Sequence, residues 1–346
     1  MSRSSTGSSS PYPQPQPAAR LRPAASRTCP TPVIHIALIL LLLLVLTVGE
    51  TPERTMLWQA LFDAGHVPLF GLMALLVRDL LATRWPRSGE WRPALLSFAL
   101  TVAVGAGAEF LQTFMPDRDA SLTDLLRDAA GAGAFLLMRE AYRRGTSSGA
   151  PASPPVGTAF AVAAVALLLA ATAQLSLTLA VLAERARAFP VLARFDGSWW
   201  ENALIETGDS VLTPASLATQ PSEIPPGLAR LDLQPATYPG LTLDEPYPDW
   251  RGYQRLVVNI VSDLDTPVPL TLRVHDAIHD NRYGDRFNTR LVVIPGANHF
   301  VIGLDEIRRA PESREMDLSR IRGIVLFAYR LEHPAHLYLG TIRLER

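Results

Sequence analysis

The sequence predicts two unlike halves: an α-helical transmembrane bundle of about five spans, then an all-β, jelly-roll-like extracytoplasmic sandwich. Three observations predict it. Nearly all the long apolar runs lie before residue 183, while the remainder alternates apolar and polar residues between frequent Pro and Gly. The arginines that separate the apolar runs are alternately dense and sparse, the mark of a chain that crosses a membrane repeatedly. With 346 residues and a formal net charge of -1, the chain shows neither a basic nucleic-acid footprint nor an acidic disordered tail. Its only cysteine is Cys29, so the second half has no disulfide framework and no thiolate metal site, and its own core must stabilise it.

Residues 1–32 are rich in Ser, Pro, Gln and Arg and bury too little apolar area to offset chain entropy, which predicts a disordered cytoplasmic tail. The run VIHIALILLLLLVLTVG from Val33 reads as an uncleaved anchor, because a long tail precedes it and no A-x-A site follows. Thr47 and Gly49 leave a cleaved signal as the alternative. A span needs roughly 20 mostly apolar residues, and the candidates are 33–49, 57–81, 93–115, 122–141 and 157–182. The first four make a domain over 33–143, and 144–156 is a cytoplasmic linker. Arg20, Arg22 and Arg27 precede the first span, Arg78, Arg84, Arg87 and Arg92 bracket the link after the second, and Arg139, Arg143 and Arg144 follow the fourth. The other two short links hold only Arg54 and Arg118. The positive-inside rule therefore puts the N-terminus in the cytoplasm and, after an odd number of spans, residues 183–346 outside it, in the periplasm of a bacterium.

This topology brings charge to one depth. Asp63 and His66 lie in the early turns of the second span, Glu109 and Gln112 in the last turns of the third, and Ser121, Asp124, Arg127 and Asp128 in the first turns of the fourth. Arg118 sits in the short link between the third and fourth. Spacings of three or four residues put each pair on one helix face, and intramembrane charge is costly unless paired. Two readings of this cluster stay open. Ser121 and Asp124 form S-x-x-D, a near variant of the capping box, favoured by the helix dipole; the glycines at 105, 107, 131 and 133 suit close helix packing. The grouped Glu109, Gln112, Arg118 and Asp128 point instead to a functional site.

At these residues the chain resembles the VanZ-like family of small multi-helix membrane proteins. The resemblance covers roughly 33–143 and rests on D-x-x-H at Asp63 and His66 and on E-x-x-Q-x-x-x-P-x-R-x-x-S-x-x-D at Glu109, Gln112, Pro116, Arg118, Ser121 and Asp124, continued by D-x-x-G at Asp128 and Gly131. Family members often carry Asn at the position of Asp128. The resemblance implies a role in the bacterial cell envelope, with a link by name to glycopeptide (teicoplanin) resistance, and no established reaction.

In the second half, RLVVNIVSD, VPLTLRVHDA, FNTRLVVIPG, HFVIGLDEI, IRGIVLFAYR and LYLGTIRLE are strand-like runs separated by turn residues, as in an antiparallel sandwich. Their order, with an early FDGSWW and a closing YLGTIRLE, resembles the galactose-binding-like jelly roll of many carbohydrate-binding modules. Trp199, Trp200, Trp250 and Tyr253 are candidates to stack on sugar rings, and the loop HDAIHDNRYGDRFN offers His275, Asp276, His279, Asp280, Tyr283, Asp285, Arg286 and Asn288, of which His275, Asp276, Arg286 and Asn288 are the chosen ligand groups. The alternative places the tryptophans in the core and makes the loop a solvated connection. The His and Asp spacing there fits neither an EF-hand nor H-E-x-x-H, so no metal site is assigned. There is also no Walker loop, no G-x-S-x-G and no dinucleotide fingerprint, so no cofactor is identified.

The expected ligand of the membrane cluster is an outer-leaflet lipid or lipid-linked glycan headgroup. Arg118 and Arg127 would pair with phosphate while Glu109, Asp124 and Asp128 orient them or hold a cation. The alternatives are an intramembrane transferase or hydrolase using paired carboxylates, and a scaffold for envelope enzymes.

Overall fold

Apolar sequence becomes helix over α1 (Pro32–Val48), α2 (Met56–Arg84), α3 (Trp91–Gln112), α4 (Leu122–Thr146), α5 (Pro154–Ala171) and α6 (Ala173–Ala188). The computed structural model describes residues 32–48, 55–87, 89–114, 121–146, 154–215 and 227–346. Each predicted span falls on helix, yet only α2 and α3 are by themselves long and apolar enough to cross a membrane. A third crossing is available if α5 and α6, bent by 51° at the break between them, count as one. The expected five spans therefore become two or three among the described residues. The reasons are local: α1 has 17 residues, and α4 carries Asp124, Arg127, Asp128, Arg139, Glu140, Arg143 and Arg144 within 25. The predicted span at 157–182 is two helices, broken where Thr172 Oγ1 donates back to the Leu168 carbonyl at 2.8 Å, a side-chain bond that bends helices.

Small residues set the helix packing, as they do where helices meet in apolar surroundings. A Cβ at Gly131 would stand 2.4 Å from the Val67 carbonyl oxygen, so α4 and α2 touch backbone to backbone. Ser97 Oγ of α3 donates to the Ala74 carbonyl of α2 at 2.5 Å, which satisfies a fully buried hydroxyl.

The second half is an all-β sandwich with three short helical turns. Its strands are β1 (Val191–Ala193), β2 (Ile205–Thr207), β3 (Ser210–Ala215), β4 (Leu228–Leu233), β5 (Gly240–Asp244), β6 (Arg255–Ser262), β7 (Val268–Asp276), β8 (Phe287–Val293), β9 (Gly296–Gly303), β10 (Ile321–Phe327) and β11 (Ala335–Glu345). Short helices α7 (Trp199–Asn202) and α8 (Leu304–Arg308) and a 3-10 turn at Tyr283–Asp285 interrupt them. One sheet runs β3-β4-β11-β6-β9 with β1 also on β11, and the other runs β2-β5-β10-β7-β8. Leu231, Leu233, Leu256, Ile260, Leu272, Val274, Ile324 and Leu337 fill the space between them. β6 is buried along nearly its whole length, whereas β7 alternates buried and partly exposed residues. The five-stranded sheet thus has an outer face that stays open.

The halves join tightly. Only Phe189 and Pro190 separate α6 from β1, and Val181 and Ala188 of α6 belong to the sandwich core. Helix continues past the predicted boundary at 183 because this end of α6 packs on that core. Glu245 clamps the junction: its Oε1 accepts Met56 N of α2 at 2.6 Å, its carbonyl accepts Arg185 Nη1 of α6 at 2.7 Å, and Arg322 Nη1 pairs with it at 2.9 Å. Its backbone lies in the left-handed region at φ 46°, which a non-glycine residue tolerates where surrounding contacts hold it.

Candidate functional site

Two polar sites emerge. The first is in the bundle and gathers residues from four helices. His66 Nδ1 of α2 lies 2.9 Å from Asp128 Oδ1 of α4, and Asp128 is 1% exposed. Gly105 of α3 makes room for that carboxylate, since a Cβ there would stand 2.5 Å from Asp128 Oδ2. Arg127 Nη1 reaches Asp63 at 3.3 Å and also pairs with Asp124, one turn back on its own helix. Arg127 Nη2 donates to Gln174 Oε1 of α6. Glu109 Oε2 accepts the backbone N of Ser121 at 2.6 Å, and Ser121 Oγ accepts Asp124 N at 3.2 Å.

Asp63, His66, Glu109, Ser121, Asp124, Arg127 and Asp128 are thus one contiguous group. Gln112 is the half-buried last residue of α3, and Arg118 lies outside the described residues. Ser121 caps α4 as the capping reading expects, and in the same place it binds Glu109 across helices. Gln174 is the member that the sequence reading missed. Its signal was a lone amide in an apolar run, and the helix break that aims it at Arg127 has no such mark. Among the described residues the group holds four carboxylates, one guanidinium and one imidazole, and the guanidinium is already engaged. A separate apolar hollow of about 490 Å³ between α3 and α4, lined by Trp91, Leu95, Phe98, Leu126 and Leu136, shares none of these residues.

The second site is the open face of the five-stranded sheet. Alternation along VPLTLRVHD turns Thr271, Arg273 and His275 outward. Register then carries one row across five strands: Glu206, Thr242, Val325, Arg273 and Asn288. The neighbouring rows are Gly240, Phe327, Thr271 and Arg290 on one side, and Asp244, Gly323 and His275 on the other. Gly323 is required where it stands, for a Cβ would meet the His275 ring at 2.4 Å. The face holds a groove of about 350 Å³ lined by Tyr238, Thr242, Arg273, Arg286, Val325 and Phe327. Tyr238, 60% exposed, stands edge-on to Phe327 at 5.7 Å and beside Tyr329 at 5.5 Å. Arg286 lies over the exposed ring of Tyr283 at 5.5 Å.

Charge at the groove is set by the β7–β8 connection. His279 Nδ1 faces the Asp285 carbonyl at 3.1 Å, which can only accept, so that nitrogen carries the proton and Nε2 is left to accept from Arg273 Nη2 at 2.9 Å. Burial, with Arg286 alongside, pushes Arg273 down to about 10. Burial, reinforced by the Arg273 charge, pushes His275 down to about 4. Asp276 points inward and pairs with Arg314 through two bonds of 2.6 and 2.9 Å, while also accepting Asp317 N at 2.8 Å. The Arg314 bond and the Asp280 backbone hold Asp285 down to about 2. His279, Asp280 and Asp285 stand close enough to share a cation, but Arg273 and Arg314 already occupy the imidazole and the Asp285 carboxylate.

Several predicted ligand groups lie elsewhere. Trp250 is fully enclosed, with Nε1 donating to the Tyr247 carbonyl at 2.8 Å, and Trp200 is core as well. Both fill the sandwich and offer no face to a sugar, because their bulk lies on the inner side of the turns that carry them. Tyr253 packs at the helix junction, edge-on to Phe189 at 5.2 Å. Trp199 is exposed, and Asp276 is buried structure. His275 and Asn288 do lie on the open face and Arg286 lines its groove, joined there by Tyr238, Arg273 and Phe327. Arg273 was legible as an outward position in a period-two strand; Tyr238 carried no signal beyond its place before a Pro-Gly turn.

The depressed His275 has a measurable consequence. Its folded value lies below the unfolded 6.5, so its contribution is fully present above that pH and is lost as pH falls toward 4. At about 1.4 kcal/mol per pH unit this amounts to up to about 3 kcal/mol. Melting curves between pH 7 and 4.5 should show wild type falling more steeply than His275→Gln; parallel slopes would remove the assignment.

No family model matches the chain, and no curated protein matches it. Among solved structures the chain is similar to a family 11 carbohydrate-binding module from Clostridium thermocellum in complex with a beta-1,3-1,4-mixed-linked tetrasaccharide, at 14% identity and TM-score 0.34, over 45% of this chain and 94% of that one. It is similar to an exo-beta-agarase at 16% identity and TM-score 0.36, over 45% of this chain and a 25% share of the enzyme. A third likeness, at 14% identity and TM-score 0.27, is to the family 30 carbohydrate-binding module of a Clostridium thermocellum cellulosomal cellulase, over 41% of this chain and 90% of that one. None of these likenesses bears on what this chain binds.

Proposed function

We propose that the chain is a membrane protein of the bacterial cell envelope whose sandwich binds saccharide on the open face of the five-stranded sheet. The bundle cluster, in this reading, recognises the headgroup of an outer-leaflet lipid or lipid-linked glycan, and the sandwich stands outside the cytoplasm. One observation carries it: a sheet-floored groove lined by Tyr238, 60% exposed, and Phe327, with the guanidinium groups of Arg273 and Arg286 in the same lining. Flat aromatic faces match the apolar faces of pyranose rings, and a few polar groups fix orientation. The motif resembling the VanZ-like family falls on the bundle cluster, which lies toward the sandwich end of α2, in keeping with recognition near one membrane surface.

Purified full-length protein in detergent should bind members of a glycan panel, and Tyr238→Ala should weaken that binding by roughly tenfold, one aromatic contact's share. Absence of binding across the panel by well-folded protein would overturn the sandwich reading. A reporter after Arg346 that behaves as cytoplasmic would overturn the topology. A second reading, an intramembrane transferase or hydrolase, is favoured by the pairing of the half-buried His66 imidazole with the buried Asp128 carboxylate, a general-base arrangement. Glu109→Gln and Asp128→Asn separate these readings. Turnover of a lipid-linked sugar that either change abolishes supports the enzyme, and binding without turnover supports recognition.

A further inference from the structure

We propose that the saccharide taken by the open sheet face is acidic, a chain bearing carboxylate or sulfate groups, and that Arg273 and Arg286 together receive one such group. This rests on the saccharide reading above and names its substrate class.

Among the described residues, neither Arg273 nor Arg286 is in an ion pair, although the arginines around them are: Arg314 with Asp276 and Asp285, Arg282 with Asp280, and Arg322 with Glu245. The acids next to the groove are therefore committed to other cations. Arg273 is instead held by a neutral partner, the acceptor nitrogen of His279. Arg286 is held by the ring of Tyr283. Both guanidinium groups are thus positioned without being neutralised, and both line one groove, where the charge of Arg286 presses on Arg273. Holding two like charges together in a half-buried groove is unfavourable until an anion joins them, and a planar guanidinium suits carboxylate or sulfate oxygens.

Of the acids on the open face, Asp244 stands in the neighbouring row, two strands from His275, with Arg322 at 4.0 Å. Glu206 is in the same row as Arg273 but three strands away, roughly 14 Å at the usual strand spacing. Arg290, in the next row on β8, extends the cationic end. The groove therefore has an aromatic end that takes any pyranose and a cationic end that selects an acidic one.

The test uses the full chain in detergent, titrated with an oligogalacturonate, a sulfated oligosaccharide, a neutral cello-oligosaccharide of matching length, and inorganic sulfate. At low salt at least one acidic probe should bind roughly tenfold or more tighter than the neutral one, and the advantage should shrink at high salt. Arg286→Met and Arg273→Met, which keep the aliphatic stem, should bring the acid-to-neutral ratio close to one. Arg286→Met serves alone if the other variant melts early. The two acidic arms show whether carboxylate or sulfate is preferred. Equal or tighter binding of the neutral probe would overturn the acidic class and leave the saccharide reading standing. Sulfate binding as tightly as the oligosaccharides would overturn it in favour of a simple anion site. Binding of no probe by folded protein would overturn both readings.

Discussion

Exchanging Arg127 for methionine should destabilise the folded protein by about 1 to 4 kcal/mol, between the costs of breaking an exposed and a buried ion pair, because its partners Asp63 and Asp124 are half-buried. The Arg127 side chain is 9% exposed and is shared by Asp63, Asp124 and Gln174, so three helices lose their common partner at once. The expected readout is loss of the protein from the membrane fraction and early melting of what remains. Arg127→Lys should fall between, because one ammonium lacks the forked geometry that serves several acceptors. Glu109→Gln should behave differently: it keeps shape and a carbonyl oxygen for Ser121 N, so protein levels should hold while any headgroup recognition that needs the charge is lost. An Arg127→Met protein that accumulates and melts like wild type would show that water supports these carboxylates and that the network holds nothing together.

The second large effect belongs to Arg314. Asp276 has a side chain with 0% exposure, and Arg314 meets it with two hydrogen bonds while also pairing with Asp285. Arg314→Met should cost about 3 to 5 kcal/mol, because the carboxylate it strands is fully buried. It should also loosen the connection between β7 and β8, which carries His279 and Arg286, so saccharide affinity should fall together with melting temperature. A double-mutant cycle with Asp276→Asn isolates the pair. A coupling energy below about 1 kcal/mol, the range of exposed pairs, would end this account.

What the sequence revealed depended on how far a signal must travel along the chain. The six later strands of the sandwich were legible because β-branched runs such as RLVVNIVS and VPLTLRVHD carry their own period. β1, β2 and β3 were not, being short or weakly patterned, and LARLDL and GLTLD, which became β4 and β5, lack β-branched density. The end of HFVIGLDEI turned into α8, since Gly303 and the acids after it start a helix as readily as they end a strand. In the bundle, spacing along helix faces grouped Asp63, His66, Glu109, Asp124, Arg127 and Asp128, and their side-chain contacts join the same residues. The same hydropathy counting overcounted spans, because apolar length alone does not register the charge in α4 or the break at Thr172. Trp250 shows the limit most plainly: a single aromatic in YPDWRGY has no period to say which way it faces. The sheet groove was illegible for a related reason, because Tyr238, Arg273 and Phe327 meet only through a register among strands far apart in sequence.

The direct passage of α6 into β1 has a mechanical consequence. With two residues between helix and strand, and Glu245 binding α2 to the same junction, the sandwich has no slack in which to swivel. Any pull on it is delivered straight to α6, a rod of 16 residues, roughly 24 Å long at 1.5 Å per residue. The far end of that rod is Gln174, beside the break at Thr172 and in contact with Arg127. Tension applied to the sheet and the hydrogen bond between Arg127 and Gln174 are thus opposite ends of one lever, and the bend between α5 and α6 is its fulcrum.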